Sequence, residues 1–235
     1  MKKHGFTLAE VLVTLGIIGV VAALTTPALI QNVGNAKVGP KLQKAVATFE
    51  TASEMMLTDQ NSNSLLGIAT TAPNLGKTLG QYMKLNSTTC TNSDNSIINY
   101  KAYSGGTGSG AHDLGTPYLS DDGVLYYIQM LATRESVHSD YADIPNNQRI
   151  GKVYVDVNGK EGPHVIGKDL FVFALYNDGT LRPWGGRAYL RNKKASEITE
   201  TWQHGSNACN KDGVSGKGET CAGSIFDNGM KIIYQ

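Results

Sequence analysis

The sequence predicts an α+β protein: a long N-terminal helix, membrane-spanning in its first half and amphipathic in its second, packed against a C-terminal antiparallel β-sheet with long loops. Three observations predict it. Residues 6–30 form a 25-residue stretch whose single charge is Glu10. Leu42, Val46, Phe49, Ser53 and Met56 then alternate spacings of four and three, one face of an amphipathic helix. Beyond residue 116, short apolar runs are separated by Asp-Gly turns, the pattern of an antiparallel meander.

At 235 residues the chain suits one ordinary domain with an appendage. A hydrophobic content of 40% supports a core, and the 27 glycines point to a loop-rich body. A net charge of +1 provides no field for nucleic acid or anionic lipid. The 3 cysteines contain no CxxC pair, which argues against a zinc ribbon or a thioredoxin-like site. Cys209 and Cys221 lie close together, whereas Cys90 stands alone. In an oxidising compartment a Cys209–Cys221 bridge would close a short loop and stabilise it by about 3 kcal/mol. The alternative is unpaired thiols.

As a helix, residues 6–30 extend about 37 Å, enough to cross a hydrocarbon core of about 30 Å. Lys2, Lys3 and His4 precede the stretch, so the positive-inside tendency keeps the N-terminus cytoplasmic. A secretory signal peptide would share the basic start and could be cut near Val21-Ala22-Ala23. Against that reading, the apolar run continues to Ile30, and Glu10 stands where a signal peptide is most apolar. A plain anchor tolerates Glu10 by letting it reach the interface. Neither reading explains Gly5-Phe6 at the boundary between charge and apolar run.

The stretch HGFTLAEVLVTLGIIGVVAALTTPALIQN resembles the N-terminus of type IV pilins and of the pseudopilins of type II secretion. The specific match covers about 30 residues. The resemblance implies cleavage after Gly5 by a prepilin peptidase and N-methylation of the new terminus at Phe6. It implies an assembly role for Glu10 and a kink of the long helix at Pro27. Cleavage removes Lys2 and Lys3 and leaves a net charge of −1.

The physics of Glu10 follows. A lone acid in the hydrocarbon costs about 2.5–3.5 kcal/mol on insertion scales, and an ammonium in register offsets that cost. The resemblance implies that this ammonium is the Phe6 terminus of a neighbouring subunit. Such a pair fixes register more than it adds stability. Gly16 and Gly19 would let helices approach closely, although generic membrane composition explains them equally well.

The organisation expected is a leader at 1–5, a transmembrane and filament-core helix at 6–30, an amphipathic segment at 31–60 and a pilin-like head at 61–235. Within it, a helix is expected from about Pro40 to about Asp59, with a break or bend at Gly34, Gly39 and Pro40. A short helix is expected near 75–84 among loops. GTGSGA near residue 106 lacks the strand–turn–helix setting of a dinucleotide fingerprint and reads as loop. TPYLS, VLYYIQM, KVYVDV, LFVFALY and TLRPW read as strands, and the C-terminus as a short helix with a closing strand.

Asp156, Asn158, Glu161 and Asp169 gather in one loop between strands. Calcium favours such oxygens, but the spacing departs from an EF-hand and Asp and Asn form turns equally well, so no metal is expected. His112, His138, His164 and His204 are scattered singly and no GxSxG elbow exists, so no enzyme and no cofactor are expected.

The function expected is a structural subunit of a type IV pilus or type II secretion pseudopilus. The alternative is a minor or tip pilin that binds a surface, DNA or a secreted substrate. The partners implied are the prepilin peptidase, other pilin or pseudopilin subunits, the inner-membrane assembly platform and membrane lipid, with no nucleic acid. The location implied is the bacterial inner membrane, crossed once with the head periplasmic or external, and then the filament.

Overall fold

In the computed structural model, the structure describes residues 7–69, 71–86, 100, 116–130, 149–162, 164–184, 209 and 218–232. The chain divides into two compact units, residues 1–37 and 38–235.

Helix α1 (Leu8–Asp59) is 52 residues long. It runs without a break through Pro27, Gly34, Gly39 and Pro40, which corrects the break expected at Gly34 to Pro40. Two physical reasons account for this. Gly39 is buried, and a Cβ added to it would collide with the main-chain carbonyl of Met230. Its role is therefore close approach, not a chain turn. Pro40 leaves the Ala36 carbonyl without its helical donor, but both residues are exposed and water can serve that carbonyl.

In the second unit α1 turns Leu42, Ala45, Val46, Phe49, Ala52, Ser53 and Met56 inward. The fully buried Leu42, Phe49 and Met56 contribute about 1.5–3 kcal/mol each. Helix α2 (Leu65–Ile68) is short, and α3 (Ala72–Met83) follows it. The latter begins earlier than the sequence suggested because Pro73, at its first turn, is preset for a helix start.

The sheet has six strands in chain order: β1 (Leu85–Asn86), β2 (Thr116–Ser120), β3 (Leu125–Met130), β4 (Arg149–Asp156), β5 (Leu170–Tyr176) and β6 (Leu181–Pro183). Every neighbouring pair is antiparallel. This is the meander that the turn residues implied. Helix α4 (Cys221–Asp227) follows. After it, Lys231 and Ile232 are not in a strand, and the rest of the closing strand expected there lies outside the described residues.

Both faces of the sheet are covered. Tyr118, Tyr126, Ile128, Val153, Val155, Phe171, Phe173 and Leu175 share a core with α1 and α3. On the other face Leu125, Tyr127, Tyr154, Leu170 and Val172 form a second cluster with Tyr100 and Trp184. Two-sided burial explains why LFVFALY is an unbroken apolar run and not an alternating one.

Polar contacts tie α1 to the sheet. The Tyr126 hydroxyl donates to the Ala45 carbonyl at 3.1 Å, and the Leu181 amide donates to Glu50 Oε1 at 2.8 Å. Burial pushes the Glu50 carboxyl above its usual range, and the Leu181 amide opposes that shift.

Candidate functional site

The candidate site is the start of α1. Gly5 and Phe6 lie outside the described residues. From Thr7 onward the geometry is a reciprocal cap. The Thr7 amide and the Thr7 hydroxyl each donate to Glu10 Oε2 at 2.8 Å, and the Glu10 amide donates to Thr7 Oγ1 at 3.3 Å. Thr-x-x-Glu at a helix start is the capping-box pattern. Sequence reasoning missed it, although TLAE carried the signal. The acid also sits at the positive end of the helix dipole. Glu10 is thus answered within its own chain by two donors, before any second subunit is considered.

The rest of the segment suits an apolar surrounding. Leu8–Thr26 is long and apolar enough to cross a membrane, and none of it is buried. Leu12, Leu15 and Ile18 are each at least 60% exposed. Its hydroxyls are satisfied internally: Thr14 donates to the Glu10 carbonyl at 2.9 Å, Thr25 to Val21 at 2.9 Å and Thr26 to Ala22 at 2.6 Å. Around Gly16 and Gly19 there is open space on the side where a Cβ would stand.

Residues 1–26 match the family model of the prokaryotic N-terminal methylation motif. The chain carries the type IV pilin and pseudopilin signature. The match includes Gly5, Phe6, Thr7 and Glu10. Neither the comparison with curated proteins nor that with solved structures gave a match. For this pilin-like protein the motif implies processing by a prepilin peptidase and assembly with other pilin subunits. It marks a structural subunit, a kind of protein that is usually non-enzymatic.

In the second unit, three of the four oxygen-bearing residues singled out between β4 and β5 come together. Asp156 is fully buried at the end of β4, and Asp169 precedes β5 at 2% exposure. His164 Nδ1 lies 2.8 Å from Asp156 Oδ2, and the Asn158 amide donates to Asp156 Oδ1 at 2.9 Å. Asp169 accepts from the amides of His164 and Val165 and from Asn158 Nδ2. Glu161 does not join them; it stays exposed. The carboxylates therefore act as acceptors for the turn. Among the described residues no group of three or more His, Cys, Asp or Glu side chains could hold a metal ion.

Cys209 and Cys221 are bonded, with Cα atoms 4.9 Å apart and both residues buried. Cys221 opens α4, whose Phe226 meets Phe173 of β5 edge-on at 5.8 Å. Cys90, His112, His138, His204 and the glycine-rich stretch at 104–110 lie outside the described residues.

Proposed function

We propose that the chain is a structural subunit of a type IV pilus or type II secretion pseudopilus. The observation that carries this reading is the methylation motif at residues 1–26 leading into a helix whose apolar side chains from Leu8 to Thr26 face outward. Such a surface needs lipid or the helices of other subunits around it.

In this reading residues 6–30 cross the inner membrane once. Lys2 and Lys3 hold the start in the cytoplasm, and the head lies outside. The prepilin peptidase cuts after Gly5 and methylates Phe6. The assembly platform then draws the helix from lipid into a filament of like subunits, through heterologous contacts that do not close. Glu10 of the incoming chain meets the Phe6 ammonium of a neighbour. The cap with Thr7 supports this, because it holds the carboxylate at the helix end where that ammonium arrives. Pro27 loosens the helix near the outer leaflet. A Cys209–Cys221 bridge suits an oxidising compartment outside the cytoplasm.

The test is isolation of native filaments, with mass analysis of this chain's N-terminus and identification of its neighbours. A chain beginning at methylated Phe6 among other pilin-type subunits is expected. An intact Met1, or a start after Ala23, overturns the reading.

A further inference from the structure

The connection between β4 and β5, residues 157–169, closes on two buried carboxylates and one imidazole. Asp156 and His164 meet at 2.8 Å, and Asp169 holds the backbone on either side of the His164 carbonyl through the amides of His164 and Val165. His164 sits at φ 54°, a conformation that a side chain other than glycine adopts only when its surroundings hold it there. The neighbours of Asp156 across the sheet are Leu125 of β3 and Leu170 of β5, neither of them titratable. The Tyr100 ring packs edge-on against His164 at 5.7 Å. Lys160, Glu161 and Lys168 belong to the same connection but stand exposed on its surface. Among the described residues, then, the cluster contains two carboxylates and one group able to become a cation. With His164 neutral it carries two negative charges and no positive one. A single proton on the Asp156–His164 pair relieves that repulsion.

We propose that Asp156 and His164 form a proton-operated clasp, which secures the 157–169 connection in mildly acidic medium and loosens its hold as the medium becomes neutral. Burial pushes the Asp156 carboxyl up to about 6, and the Asp169 charge adds to the rise while His164 opposes it. Burial also raises Asp169. The sign follows from linkage. An acid raised in the folded state, from the ordinary 3.8 up to about 6, binds its proton more tightly there than in the open chain. Closure is therefore favoured as pH falls through that window, and the advantage fades as pH rises through about 6. The clasp has a mechanical neighbour. Gly159 packs against the Gly123 carbonyl, and next to Gly123 stands Asp122, paired with Lys44 of α1 at 3.2 Å. The inference does not depend on the filament reading.

The test is hydrogen exchange at the His164 and Val165 amides of the full-length chain in detergent micelles, corrected for intrinsic rates, at mildly acidic and neutral pH. Protection about tenfold higher in acid is expected, and Asp156→Asn should abolish the difference. Wild-type protection that does not change with pH, or the same change in Asp156→Asn, overturns the proposal. A carbon and nitrogen NMR titration of the wild type decides independently if the variant does not fold. The Asp156 carboxyl should titrate near pH 6, and an Asp156 carboxyl that titrates as an ordinary aspartate overturns the proposal.

Discussion

Gly39 of α1 lies directly against the main-chain carbonyl of Met230, with no room for a Cβ between them. The contact joins the long helix to the segment that follows α4, and it makes Gly39 a packing residue inside an unbroken helix. Gly39→Ala should therefore destabilise the protein by about 1–3 kcal/mol, the usual cost of overpacking. Gly34→Ala should instead stabilise it by up to about 1 kcal/mol, since Gly34 has open space beside it and alanine is the better helix former. Thermal unfolding of both variants in detergent checks the pair, and shifts of the same sign would refute the assignment.

Glu10→Val should remove an insertion cost of about 2.5–3.5 kcal/mol and leave the chain firmly in the membrane. The same change should deplete it from filaments. Fractionation followed by filament shearing reads both quantities. Filament content at the wild-type level would show that Glu10 serves only the cap with Thr7. Thr7→Val supplies the complementary measurement, because it removes the hydroxyl from that cap at a cost of about 1 kcal/mol to the helix start.

Loss of the Cys209–Cys221 bridge should cost about 3 kcal/mol. The Cys209→Ser/Cys221→Ser double variant, compared with the wild type by denaturant unfolding, measures this. Alkylation of the unreduced wild-type protein under denaturing conditions should leave both cysteines unlabelled, and ready labelling would contradict the bridge.

Tyr126→Phe should cost about 1 kcal/mol, since the buried hydroxyl it removes is the donor to the Ala45 carbonyl of α1. Burial also pushes the Tyr126 phenol upward, so alkaline difference spectra of the native protein should lack its ionisation at ordinary tyrosine pH. Ordinary titration of every tyrosine would argue against the core position.

Much of the architecture was legible because it rests on local patterns. The spacing of Leu42, Val46, Phe49 and Met56 follows the helical period, and Asp122-Gly123 and Asp178-Gly179 mark turns by their backbone freedom. Gly179 illustrates the limit of such signals. Its φ of 84° fits a turn, yet the turn also brings it against Ser53 of α1, a contact that no local spacing announces. The Thr7–Glu10 cap was readable in TLAE, because it joins side chain and backbone only three residues apart.

The chain's own order of residues determined the membrane-length helix, the methylation motif and the succession of strands, because charge placement, periodicity and turn chemistry act over a few neighbours. Only the tertiary structure decided that α1 stays whole through Gly39-Pro40 and that Asp156, His164 and Asp169 converge. Those outcomes depend on close approach and burial between segments far apart in the chain. There, exclusion of water changes what a glycine or a carboxylate does.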